Sequence, residues 1–130
     1  MTTSSSLQRQ AELTERAVNF ARSVRSFLRK LPKSLANLHD ARQLIRTSSA
    51  LGARYVEAGG APNRQEFLRC ILEALQSARA SAYWLHVLDT GDYEKACKER
   101  EMLLKEANAL QRIFGAIAAK VRSNARSTQA

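Results

Sequence analysis

The chain has 130 residues, with 21 Lys and Arg against 12 Asp and Glu, for a formal net charge of +9 at pH 7. Hydrophobic residues make up 45% of it, enough for a packed core, while aromatic residues at 6% leave most of the filling to Leu, Ile, Val and Ala. These totals exclude global disorder and more than one domain of ordinary size. Cys70 and Cys97, far apart and without a CxxC pair or a His cluster, argue against a disulfide framework and for two reduced thiols of a cytoplasmic protein. Met1 to Ser6 is polar with no apolar signal region behind it, and no run of about 18 apolar residues is present to span a membrane.

The Thr/Ser run Met1 to Ser6 reads as a flexible tail that supplies a helix cap. Helix 1 is expected from about Leu7 to Leu31, with Leu13, Ala17, Phe20, Val24, Phe27 or Leu28, and Leu31 on one face at steps of three and four. Pro32 stops it, since proline disfavours helix at the preceding residue. Helix 2 is expected to open near Ser34 or Asn37. Its stripe is Leu35, Leu38, Ala41, Ile45, Ser48, Gly52 and Tyr55, with Leu44 and Leu51 beside it. The small residues Thr47 to Ala50, Gly52 and Ala53 allow close approach of a neighbouring helix, and Gly59-Gly60-Ala61-Pro62 ends the segment.

Asn63 with Glu66 three residues on is a capping box that opens helix 3. Phe67, Ile71, Leu75, Ala78, Ala82, Leu85 and Leu88 form its stripe. After the turn Asp89-Thr90-Gly91-Asp92, helix 4 is expected from Tyr93 to Arg122, with Ala96, Leu103, Ala107, Leu110, Phe114, Ile117 and Val121 facing inward. No segment alternates with period two, so strands are not expected. The predicted fold is all-α, an antiparallel up-down-up-down four-helix bundle over residues 7–122, between flexible tails at 1–6 and 123–130.

Three segments carry a resemblance. They are Gln43-Leu44-Ile45-Arg46-Thr47-Ser48-Ser49-Ala50-Leu51-Gly52-Ala53-Arg54-Tyr55-Val56-Glu57-Ala58, then Glu66-Phe67-Leu68 leading to Ala78-Arg79-Ala80-Ser81-Ala82-Tyr83-Trp84-Leu85, and Lys105-Glu106-Ala107-Asn108-Ala109-Leu110 followed by Ile113-Phe114-Gly115-Ala116-Ile117. In order and spacing they resemble the bacterial four-helix-bundle family of proteins encoded in intervening sequences of 23S rRNA genes, the S23-like proteins. The resemblance implies an antiparallel four-helix bundle, a ring-shaped homopentamer, and kinship with the basic accessory proteins of diversity-generating retroelements, which bind nucleic acid and a reverse transcriptase. It also implies a polar cluster, within one chain or between subunits, of Tyr55, Glu57, Arg79 and Tyr83. The chain departs from the family at Arg54, Ser77 and Ala80, each change making the region more positive.

The positive charge is concentrated early. Ten Lys and Arg and four Asp and Glu precede Ala61, a surplus of six of the nine. Arg22, Arg25, Arg29 and Lys33 step by three, four and four along helix 1 and its turn, with Lys30 beside them. Arg42 and Arg46 are an i, i+4 pair on helix 2, and Arg54 follows two turns later. A ridge of this kind binds phosphates, not base edges. Helix 4 interleaves Lys98, Lys105 and Arg112 with Glu94, Glu99, Glu101 and Glu106. Glu94–Lys98 and Glu101–Lys105 are expected ion pairs of a solvated face. Lys120, Arg122 and Arg126 suit the negative end of that helix and extend the basic surface. Tyr83 and Trp84 are adjacent and point to different sides of helix 3; packing is expected over base stacking, because Leu85 and Leu88 surround them.

No catalytic or metal-ligating constellation accompanies the charge. His39 and His86 have Ala36 and Tyr83 three positions upstream, not the carboxylate of a di-iron bundle, and neither GxxxxGK[ST] nor HExxH occurs. The sequence therefore predicts a non-enzymatic, cofactor-free, oligomeric nucleic-acid-binding bundle, with RNA favoured, DNA as the other ligand and no membrane partner. A protein-interaction scaffold for a polymerase or ribonucleoprotein is the alternative. Apolar residues outside the stripes (Val18 and Leu28, Leu44 and Leu51, Leu68 and Leu72, Leu104 and Ile113) point to a second buried surface and so to a homo-oligomer.

Overall fold

Proline, paired glycines and an Asp-rich turn divide the chain into four helices where expected. The computed structural model describes residues 4–129. The helices are α1 Ser4–Leu28, α2 Leu35–Gly59, α3 Arg64–Val87 and α4 Glu94–Gln129. Ser4 to Ser6, expected in the tail, form the first residues of α1, and α4 continues past Arg122 to Gln129. Met1 to Thr3 of the expected tail and Ala130 lie outside the described residues. The α-helical part of α1 ends at Leu28 instead of Leu31, and tighter bonds from Lys30 N to Phe27 O (3.1 Å) and from Leu31 N to Leu28 O (3.3 Å) complete the turn before Pro32. Ser34, not Asn37, caps α2, its hydroxyl accepting from Asn37 N at 3.1 Å. Asn63 caps α3, accepting from Glu66 N at 2.8 Å.

Contacts between helices fix their direction. Thr47 of α2 meets Ser81 of α3 and Asn37 meets Asp89 just past the end of α3, while Arg16 of α1 meets Glu106 of α4 and Lys30, just past the end of α1, meets Glu99. In each pair the residue number falls on one helix as it rises on the other, which is the signature of antiparallel neighbours. This is the expected all-α up-down-up-down bundle. Its core is lined by Leu13, Ala17, Phe20, Val24 and Phe27 of α1, Leu44 and Leu51 of α2, Ile71, Ala74, Ala78 and Leu85 of α3, and Leu103, Ala107, Leu110 and Phe114 of α4. No helix among the described residues is long and apolar enough to cross a membrane.

The stripes of α1, α3 and α4 face inward as the periodicity predicts. That of α2 does so only in part: Ser48 is fully buried, Ala41 and Tyr55 pack against the core and Gly52 approaches Ala17, but its large aliphatic members face outward. Leu44 and Leu51 are fully buried at its centre, flanked by Asn37, Asp40, Thr47 and Ser48, while Leu35, Leu38 and Ile45 are 87%, 46% and 37% exposed. The centre of the inward face is rotated by roughly 100° from the expected stripe, about one residue's turn. Polar groups occupy it because each finds a partner. Thr47 donates to Leu44 O and accepts from Ser81 Oγ at 2.9 Å, Ser48 donates to Ile45 O, and Asp40 bonds His39 Nδ1. A buried hydroxyl or amide with a partner costs little, so apolar count alone misplaces the face. Close approach at the small residues is as expected: a β-carbon added to Gly52 would lie 3.2 Å from Ala17 Cβ.

The α1–α2 and α3–α4 connections meet at one end of the bundle, and Asn37 ties them together. Its side-chain amide donates to Pro32 O and Asp89 O, both at 2.8 Å, and its oxygen accepts from Asp89 N at 3.0 Å. Asp89 Oδ1 in turn accepts from Gly91 N at 2.9 Å. Gly91 has φ of 67°, and a β-carbon there would meet Pro32 Cγ at 2.7 Å, so both its conformation and its contact require glycine.

Candidate nucleic-acid interface

Helical phase decides which cations reach solvent together. Arg22 and Arg25 are exposed on α1, Arg29 and Lys33 follow in the connection, and Arg42 and Arg46 stand exposed on the outer face of α2. Arg22, Arg29, Lys33 and Arg42 have no carboxylate within ion-pairing distance among the described residues. Arg25 and Arg46 are held by neutral oxygens. Arg25 donates to Ala21 O at 3.1 Å and to Ser49 Oγ at 3.0 Å, joining α1 to α2, and Arg46 donates to Gln43 Oε1 at 3.0 Å. These two guanidiniums are positioned without being neutralised.

Two of the expected site residues stand elsewhere. Lys30 turns toward α4 and forms an ion pair with Glu99. Arg54 lies on the α3 side of α2, where it meets Glu57 at 2.6 Å and Glu73 at 3.3 Å. Arg69 completes that network, 2.9 Å from Glu66 and 2.8 Å from Glu73. Hydrogen bonds donated by Arg54 to Glu57, and by Arg69 to Glu66 and Glu73, raise both guanidinium pKa values above their ordinary level. Carboxylates already occupying Arg54 leave it poorly placed to take a phosphate.

Helix α4 behaves differently from a self-paired face. Glu94 and Lys98 meet at 3.3 Å as expected, but no ion pair joins Glu101 to Lys105. Glu99 and Glu106 reach across to Lys30 and Arg16 of α1 instead, and Arg16 is bidentate to Glu106 at 2.9 and 2.7 Å. Carboxylates of α4 thus pin one edge of α1 and leave its opposite edge, with Arg22, Arg25 and Arg29, facing away from them.

The sequence carries a signal of this that counting by helix passes over. Between Glu15 and Glu57 stand nine Lys and Arg and a single carboxylate, Asp40, which is 9% exposed. A second stretch, Ala74 to Leu88, contains no carboxylate. The outer surfaces of α1 beyond Glu15, of α2 before Glu57 and of the second half of α3 therefore form one sector nearly free of negative charge.

Two expectations about other residues change. Within one chain Tyr55, Glu57, Arg79 and Tyr83 do not come together: Tyr55 packs 5.9 Å from Phe114, Glu57 joins Arg54, and Tyr83 lies against Trp84. Burial raises the Tyr55 phenol pKa. Nor are most of the extra apolar residues a spare surface. Leu44 and Leu51 are core, and Leu28, Leu68, Leu72, Leu104 and Ile113 pack against it. Of that set only Val18 is exposed, at 42%. The unpartnered apolar row is instead Leu35, Leu38, Ile45 and Val56 on α2.

No protein-family model matches the chain, and no curated protein does. Among solved structures its fold is similar to that of a protein of unknown function from the S23 ribosomal protein family of Bacteroides thetaiotaomicron VPI-5482. The two are 20% identical, with a TM-score of 0.70 over 81% of this chain and 96% of the other. The chain thus has a four-helix fold also found in a protein assigned to the S23 ribosomal protein family.

Proposed function

We propose that this chain is a non-enzymatic, S23-like nucleic-acid-binding bundle that takes RNA, or DNA, on the outer face of α1 and α2. The observation that carries this reading is the row of six exposed cations, Arg22, Arg25, Arg29, Lys33, Arg42 and Arg46, in a sector whose one carboxylate is buried and already bonded to His39. Phosphates need positive charge at helical spacing and no particular base geometry, so such a face binds backbone with weak sequence preference. The ribosomal family of the structural relative favours RNA, and the kinship with retroelement accessory proteins belongs to the same reading. Binding by protein freed of nucleic acid, measured by fluorescence anisotropy across a salt series, tests it. If all six cations engage, log K falls against log salt with a slope of about −4 to −5. An absence of binding at low salt overturns the proposal.

The chain is further proposed to self-associate, with a ring of five the arrangement that the S23-like resemblance implies. Repetition of a weak phosphate-binding face around such a ring multiplies affinity without new contacts. The exposed row Leu38, Ile45 and Val56, turned to one side of Arg42 and Arg46, supports a covered surface on α2 beside the cations. The double variant L38D/I45D is expected to reduce the assembly to monomers by light scattering while leaving the helical circular dichroism intact. A wild-type monomer at micromolar concentration would contradict self-association. The same row favours a second reading, a scaffold for a protein partner such as a polymerase, and a partner retained in pull-downs after nuclease treatment would support it.

A further inference from the structure

We infer that His39, Tyr83 and Trp84 form a platform on which unpaired bases stack, so that the basic face selects single-stranded nucleic acid over duplex. This inference rests on the nucleic-acid reading above and names its ligand class. The three rings form a continuous surface across the α2–α3 groove. Trp84 meets His39 edge-to-face at 5.8 Å and 72°, and Tyr83 at 4.9 Å and 79°. The packing expected for Tyr83 is not what the fold provides. Leu85 and Leu88 are buried, but Tyr83 is 58% exposed, Trp84 is half-buried, and the His39 side chain is 64% exposed. Two rings left largely in water beside a third offer flat apolar faces to a partner.

Charge selects that partner. His39, Arg42 and Arg46 follow at i, i+3 and i+7, so the platform is continuous with the basic row on α2. Arg79, exposed one turn before Tyr83, stands on its other side. The one carboxylate beside the rings is Asp40, buried and bonded to His39, and the bordering stretches Ala41–Val56 and Ala74–Leu88 contain none. A protein surface of ordinary composition has little to gain from three arginines, Arg42, Arg46 and Arg79, whose one neighbouring carboxylate is buried, whereas a single strand offers a phosphate and an aromatic face at every nucleotide. Duplex bases are already stacked, and sequence-tolerant recognition of single strands uses this combination of a basic track and aromatic rings.

The test compares wild type with Tyr83→Ala and Tyr83→Phe on a mixed-sequence single strand, as RNA and as DNA, and on its duplex at one salt concentration. Tyr83→Ala is expected to weaken single-strand binding by roughly 5- to 150-fold per lost stacking contact. Tyr83→Phe should stay close to wild type, and duplex affinity should not change. Trp84 is the sole tryptophan, so quenching of its emission by single strands reports stacking directly. Wild type that binds single strand and duplex equally, with no quenching and no effect of Tyr83→Ala, overturns this inference while leaving the phosphate-binding reading intact. Wild type that binds neither overturns both. Tyr83→Ala that dissociates the assembly by light scattering assigns the platform to an interface between copies and overturns it as well.

Discussion

Asn37→Ala is expected to lower unfolding stability by about 3 kcal/mol and to bring the thermal midpoint down by roughly 10 °C. The size follows from what the side chain holds. Asn37 is 4% exposed and makes three hydrogen bonds, two donated to Pro32 O and Asp89 O and one accepted from Asp89 N. Each satisfied bond contributes about 1 kcal/mol net, and groups left unpaired in a place closed to water cost more. The bonds join segments 52 residues apart, so their loss also releases the α1–α2 connection from the α3–α4 turn at the Gly91–Pro32 contact. Asn37→Asp separates hydrogen bonding from volume. It preserves the shape and the acceptor for Asp89 N but turns a second oxygen toward two carbonyls, and it should destabilise at least as much as alanine at neutral pH. Urea unfolding followed by circular dichroism measures both. A loss under 1 kcal/mol in each would show that the two connections are held together by apolar packing alone.

Asn37 also shows where sequence reading stops. Its position after Pro32 makes it look like a helix cap, and the partner that defines its role, Asp89, cannot be found by local spacing. The same holds for α2 as a whole. Leu35, Leu38, Ile45 and Tyr55 recur with helical period, so the helix itself was legible, but its phase was not. Thr47, Ser48 and Asp40 point inward because hydrogen bonds to Ser81, Ile45 and His39 satisfy them there. Helices α1, α3 and α4, whose inward residues are mostly apolar, were legible in type and in face. In the basic site, the row Arg22, Arg25, Arg29, Arg42 and Arg46 was legible because helical spacing alone sets it. Lys30 and Arg54 were not, since their carboxylates Glu99 and Glu73 come from other helices. Arg54 carried a warning in Glu57 three residues on, an i, i+3 pair readable without the fold.

Charge reversal of the α1 row, R22E/R25E/R29E, is expected to weaken nucleic-acid binding by on the order of a thousandfold at 50 mM salt and to flatten the salt slope by about 2 to 3. Each phosphate contact releases a counterion, and at that ionic strength the release contributes about a factor of ten in affinity, so three lost contacts multiply to this size. Opposite charges in their place add repulsion, which is felt within a Debye length of about 14 Å at this salt. Stability should change little, since all three side chains are exposed and only Arg25 is bonded, to Ala21 O and Ser49. Net charge is a separate matter from placement. The variant K98E/K105E/R112E on α4 makes the same change in total charge on a face where Glu94 already pairs with Lys98. If the α1–α2 face is the interface, the α4 variant keeps most of the wild-type affinity and nearly the full salt slope. Equal losses in the two variants would mean that the protein attracts polyanions through its overall charge, with no face set apart for them.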